Sequence, residues 1–184
     1  MITWMTRISL LDSASDLELN QLAVAESQAL ALAYAFMGGD WDDAGVTDRH
    51  PLVMMWMGHE VALAAYAASC SVRLVQLGVT NGVQSLELAQ HAQKFRKGME
   101  LDYEAPPWFS DTDVLRSHRS NLQRRWPDSY GEKWSGTPAL MPYLWPFMQE
   151  DGSYNLMLSK HDKGLIASGD RVLPKKILDR IYNA

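Results

Sequence analysis

Between Pro106 and Trp126 the sequence reads PPWFSDTDVLRSHRSNLQRRW, a stretch that concentrates the residue types able to bind or react. Arg116, Arg119 and Arg124 offer planar guanidinium forks that match phosphate or carboxylate, and His118 and Asn121 add hydrogen-bonding groups among them. Trp108, Trp126, Trp134 and Trp145 supply indole faces on which bases could stack. These types describe a nucleic-acid or nucleotide surface. They equally fit a structural role, because arginine near a helix C-terminus complements the macrodipole and tryptophan beside proline commonly staples a core or loop. The residues alone leave both accounts open.

The element that must position them is a helix. Ser110, with Asp113 three residues on, reads as an acidic capping box opening a helix that Pro127 closes. On a 3.6-residue wheel Val114, Leu115, His118, Leu122 and Trp126 share one arc, expected to pack, while Arg116, Arg119 and Gln123 share a flanking arc.

A second polar group sits inside the most apolar stretch. His50-Pro51 opens a predicted helix that runs to about Leu77 and ends at Gly78, interrupted by Gly58, His59 and Glu60. The phrase HEVAL lacks the second histidine of a zinc-binding HExxH, since position 63 is leucine, so a zincin site is excluded. His59 fits either a hydrogen-bonded core histidine or a site residue, and Gly58 would let another backbone approach closely.

The remaining elements are mostly helical. Met1 to Leu11 is read as extended chain over the core. Ser13 with Asp16 resembles a capping box, and Asp16 to Met37 is an Ala- and Leu-rich helix stopped at Gly38 and Gly39. Asp40 to Arg49 is an acidic connection, Ser85 to Met99 a peripheral helix, and Ser129 to Phe147 an irregular Trp-, Pro- and Tyr-rich wrap. Ser153 to Ser159 reads as strand or turn, and Pro174 starts a last helix over Lys175 to Tyr182. The expected fold is all-α, a single-domain helical bundle over residues 1–184 with one long irregular segment.

Bulk properties narrow the function classes. The chain has 184 residues, 47% of them hydrophobic, enough to bury a core unaided. A net charge of -5 means that a polyanion would have to meet a local basic patch. One cysteine, Cys70, forms no internal disulfide, and neither a leader nor an apolar span of membrane length is evident, so a cytoplasmic protein without membrane association is expected.

The phrases ITW, DLEL, HPLVMMWMGHE, PPWFSD, SHRSNLQRRWPDSYG and PYLWP resemble the pyrimidine-dimer DNA glycosylases of the endonuclease V type, especially a divergent phage and bacterial branch. The resemblance covers most of residues 1–146, with 147–184 as a C-terminal extension. It implies a helical domain that kinks DNA, flips a nucleotide, cleaves the glycosidic bond and then the strand at the abasic sugar, with no metal or other cofactor. In that chemistry an N-terminal threonine amine, neutral in useful fraction because such amines titrate near ~7.7 to 8.0, attacks C1′ to form a Schiff base. A glutamate stabilises the cation and moves protons.

Carried onto this sequence, the resemblance implies Thr6 as nucleophile, Glu26 as acid and His59 beside it in the pocket. It implies Arg116, His118, Arg119, Asn121, Arg124, Trp108 and Trp126 as the DNA contacts. The departures are specific. The matching MTR phrase is internal at Met5, Thr6 and Arg7, bulky Ile2 opposes removal of Met1, and the first helix carries Asn20, Gln21, Val24 and Gln28 where the branch has charged residues. Two functions from different classes follow: a DNA glycosylase and abasic-site lyase, or a catalytically altered relative that binds nucleic acid, a nucleotide or a protein partner. A base-modifying enzyme reusing a flipped-base pocket is a third.

Overall fold

The computed structural model describes residues 3–36, 38, 41, 45–47, 50–79, 103–138, 140–171 and 173–182. It is mainly helical, with eight α-helices and one two-stranded sheet among the described residues. The chain divides into two compact units, Met1–Pro106 and Pro107–Ala184.

In the first unit the helices are α1 (Leu10–Asp16), α2 (Leu19–Phe36), α3 (Pro51–Trp56) and α4 (Glu60–Gln76). Alanine and leucine bring α2 against α4: Leu22, Ala25, Ala29 and Leu32 from one helix and Ala62, Leu63, Tyr66 and Cys70 from the other are buried, and small side chains shorten the distance between axes. α1 also packs on α4. Its N-cap is Ser9, whose Oγ accepts from the Asp12 amide at 3.2 Å. Ser13, expected to cap, lies inside α1 and its hydroxyl instead accepts from the amides of Thr6 and Arg7. The segment before α1 is not laid over the core but built into it, with Thr3, Trp4, Met5 and Thr6 all buried.

The single helix expected from His50 to Leu77 is two. His50 caps α3 through Nδ1, which accepts from the Leu52 amide at 3.1 Å, and Pro51 takes the first helical position. Helix α3 ends at Trp56 because Gly58 adopts φ +76°, a conformation costly to any residue with a Cβ. No atom lies within 4 Å of where a Gly58 Cβ would sit, so the glycine serves the backbone turn and not a close approach. The predicted helix over Ser85 to Met99 and most of the Asp40 to Arg49 connection lie outside the described residues.

In the second unit a 3-10 turn (Pro107–Ser110) leads into α5 (Thr112–Arg125) and α6 (Pro127–Tyr130), then β1 (Trp145–Met148), β2 (Tyr154–Met157), α7 (Lys160–Ala167) and α8 (Lys175–Tyr182). The N-cap of α5 is Asp111, not Ser110: Asp111 Oδ1 accepts from the amides of Asp113 at 2.9 Å and Val114 at 3.4 Å. β1 and β2 form an antiparallel hairpin with Trp145 opposite Met157 and Met148 opposite Tyr154. Pro146 is accommodated because each strand of a two-stranded sheet has a free edge. Between α6 and the hairpin the described residues 131–138 and 140–144 form no helix or strand, so the irregular wrap is shorter than the expected Ser129 to Phe147.

Candidate functional site

Helices α2 and α4 place Glu26 opposite Ser71. Ser71 Oγ donates to Glu26 Oε1 at 2.9 Å and also lies 3.2 Å from the Ala67 carbonyl, so one hydroxyl proton faces two acceptors. A protonated Glu26 relieves that competition by donating to Ser71 while Ser71 donates to Ala67. Burial raises the Glu26 pKa above the ordinary carboxylate range, and the Ser71 hydrogen bond only partly opposes it. The carboxyl opens into a pocket of about 210 Å³ lined by Ala23, Ser27, Ser71, Leu74, Val75 and Val79. Such a group can hold and release a proton against apolar walls, as general acids do. Ser71 gave no signal in the sequence beyond lying on a helix face.

Thr6 belongs to a different knot. Its amide donates to Ser13 Oγ at 3.1 Å and its hydroxyl to Asp16 Oδ2 at 2.8 Å, which also accepts from Arg7 Nε at 2.8 Å. The segment ahead of it is anchored in turn: Tyr66 OH donates to the Trp4 carbonyl at 2.9 Å and Trp56 Nε1 to Thr3 Oγ1 at 3.1 Å. The carboxylate that meets Thr6 is therefore Asp16, a residue expected only at a helix start.

His59 does not join Glu26. It is half-buried at the N-cap of α4, its Nδ1 3.1 Å from the Glu104 carbonyl. Ser71, the partner of Glu26, lies eleven residues beyond Glu60 along α4, about 16 Å at the helical rise. Glu60 turns back to accept from the Gly58 amide at 2.9 Å and closes the break between α3 and α4.

In the second unit, most of the polar residues of SHRSNLQRR face inward. Ser117 Oγ donates to the Val114 carbonyl at 2.7 Å and accepts from the Leu144 amide at 3.1 Å. Ser120 Oγ exchanges hydrogen bonds with both the carbonyl and the amide of Met141. Gln123 Nε2 donates to the carbonyls of Gly131 and Trp134, and Arg124 Nη1 to that of Met141 at 3.1 Å. His118 is fully buried and stacks on Tyr143 at 4.2 Å. The polar side of α5 thus fastens the irregular wrap, whose main chain lacks a ladder and needs partners.

This arrangement sorts the expected contact residues. Trp108, His118 and Asn121 are buried, so their rings and amide pack inside the unit and present no stacking face to solvent. Gln123, expected on the outward arc with Arg116, is buried as well. Arg116 is exposed and Arg119 half-buried. Trp126 is half-buried, with the exposed Arg125 guanidinium 5.4 Å over its ring.

The chain matches no family model, no curated protein and no solved structure. No helix among the described residues is long and apolar enough to cross a membrane. Among the same residues no group of three or more His, Cys, Asp or Glu is placed to hold a metal ion.

One further cluster joins residues that no local motif connects. Asp111 Oδ2, on the cap of α5, accepts from Tyr154 OH at 2.7 Å and Arg180 Nη2 at 2.6 Å, joining α5, β2 and α8. Burial alone would raise the Asp111 pKa. The hydrogen bonds from Arg180 and Tyr154, with the Arg180 charge, outweigh it and hold the carboxyl below its usual range. The same cluster pushes Tyr154 up to about 12, through burial first and the Asp111 carboxylate second.

Proposed function

We propose that the protein binds nucleic acid through the arginine-bearing side of α5, as a relative of the pyrimidine-dimer glycosylases that has lost their amine-based lyase chemistry. The observation that carries this reading is the position of Thr6. Its nitrogen is a buried amide donated to Ser13, and the residues ahead of it, Trp4 and Met5, are core. Freeing a Thr6 amine would require removing buried tryptophan and methionine, so the Schiff-base step has no ready nucleophile there.

Charge distribution supports the binding half. Residues 107–184 contain eleven Lys and Arg against nine Asp and Glu, whereas residues 1–106 contain six against thirteen. The acidic balance of the whole chain thus resides in the first unit, and a polyanion can meet a basic second unit. On α5 Arg116 and Arg125 are exposed and Arg119 is half-buried, and Trp126 offers a partly open indole face beside Arg125.

A second reading, an active glycosylase, is favoured by Glu26 alone, whose raised pKa and pocket suit an acid. Incubation with a duplex containing an abasic site, with and without borohydride, separates the two. The binding reading expects a salt-sensitive, reversible complex and no covalent adduct; a trapped adduct on the intact chain supports the lyase.

A further inference from the structure

The Glu26 pocket is built from matching positions on two packed helices. Ala23, Glu26 and Ser27 stand at i, i+3 and i+4 on α2, and Ser71, Leu74 and Val75 have the same spacing on α4, so each trio shares one helix face. Val79 joins them through the end of α4: Gly78 takes φ +74°, and the chain turns back so that the Val79 amide donates to the Leu74 carbonyl at 3.0 Å. The space between them is about 210 Å³ and lies wholly within the first unit.

Its polarity has one sign. Glu26 Oε1 accepts from Ser71 Oγ at 2.9 Å, and among the described residues no Lys, Arg or His pairs with the carboxylate. Arg73, the basic residue in the last turn of α4, directs Nη1 to Gln76 Oε1 at 3.4 Å. Leu74 and Val75 belong to that same turn, where the carbonyl ends of the peptide dipoles gather negative potential. An anion is therefore repelled. A hard divalent ion asks for more oxygen ligands than one glutamate supplies, and no group of three acidic or metal-ligating side chains stands here among the described residues. The other walls, Ala23, Leu74, Val75 and Val79, are hydrocarbon.

We infer that this pocket binds a primary ammonium carried on a short, unbranched apolar stem. An ammonium has three donors and no acceptor, and the Glu26 carboxylate with the hydroxyl oxygens of Ser71 and Ser27 accepts them. The methylenes of the stem displace water from the Ala, Leu and Val walls. The ligand supplies the counter-charge that Glu26 lacks, so the carboxylate is held ionised and serves as an anchor instead of an acid. The inference is independent of the α5 surface, which belongs to the second unit. A free alkylamine and a lysine side chain of another protein offer this same chemistry.

The test titrates the full chain with n-butylammonium chloride at neutral pH and constant ionic strength, with n-butanol as the uncharged control. Saturable shifts of the Glu26, Ser71 and Val79 amide resonances are expected with the ammonium, at far lower concentration than with the alcohol. Glu26→Gln should weaken ammonium binding about tenfold or more, as loss of a charge-assisted hydrogen bond does, and leave butanol binding unchanged. Ala23→Leu, which fills the pocket without touching the carboxylate, should weaken both ligands, and thermal unfolding without ligand verifies that both variants fold. Absence of saturable shifts, equal ammonium affinity in Glu26→Gln, or butanol binding as tightly as butylammonium overturns the inference and leaves the Arg116 and Arg119 surface untouched. Nα-acetyl-lysine methylamide distinguishes the source. Binding tighter than butylammonium assigns the pocket to a lysine side chain; weaker binding, with the backbone of the amide excluded, assigns it to a free amine.

Discussion

Ser71 Oγ donates to Glu26 Oε1 at 2.9 Å, tying the middle of α2 to the far half of α4. Because burial raises the Glu26 pKa, the folded chain holds that proton more tightly than the unfolded chain does. The sign follows from linkage: the stability contributed by this group is greatest below the ordinary carboxylate range and falls as pH rises through the raised pKa. Glu26→Gln, which preserves an acceptor for Ser71, should abolish that fall and be neutral or stabilising at pH 7. Melting temperature against pH for both proteins checks it; parallel curves would show that Glu26 titrates as an ordinary surface carboxylate.

The segment ahead of Thr6 should behave as core. Trp4→Ala should cost about 3 to 5 kcal/mol, the usual range for a buried tryptophan. A chain beginning at Met5 should be destabilised at least as much. Urea unfolding of both settles the point, and a chain starting at Met5 as stable as the intact protein would return Thr6 to the list of possible nucleophiles.

Two residues four apart on α5 should differ sharply. Ser120→Ala removes both hydrogen bonds to Met141 and should cost about 1 to 3 kcal/mol, while Arg116→Ala, exposed, should stay within about 0.5 kcal/mol. The two lie about one turn apart, roughly 40° around the axis, so the contrast reports burial at the edge of the packed face. Similar costs at both would contradict the assignment of the inward side to fastening the wrap.

Much of the fold was legible because apolar period and breakers are local signals. Helix α2 up to Gly38, the cap and proline at His50-Pro51, and the last helix after Pro174 follow from them. What misled was chemistry with two uses. Ser110 and Asp111 are adjacent competent caps, and Asp111 wins because Arg180 and Tyr154, far along the chain, hold its other oxygen. Gly58 read as an interruption inside one helix, whereas its φ of +76° ends one helix before the next begins. Most consequentially, Ser117, His118, Ser120, Asn121 and Gln123 have the polarity of a binding surface but are buried. The partners of Ser117, Ser120 and Gln123 are main-chain groups of an irregular segment, and no periodicity announces those.

The Asp111 cluster sets a second pH dependence of opposite sign. Its carboxyl is held below the usual range, so the stability it contributes is present above the unfolded carboxylate pKa and is lost as pH falls through the folded one. Arg180→Ala should reduce this acid-side loss, with Tyr154 and the Asp113 amide still holding the carboxyl, and cost about 1 to 3 kcal/mol near neutrality. Because Arg180 lowers the Tyr154 pKa, the same variant should raise it further. Absorbance titration of the tyrosinate reads the direction.

The most direct test of nucleic-acid binding is the salt dependence of affinity for a labelled duplex, measured by anisotropy for the intact chain and for a variant carrying Arg116→Ala and Arg119→Ala. If these side chains meet phosphates, affinity falls and the slope of log K against log salt decreases by roughly 0.7 to 0.9 for each lost contact, with folding retained. An unchanged affinity with an unchanged slope would contradict the account and leave this side of α5 a solvated face.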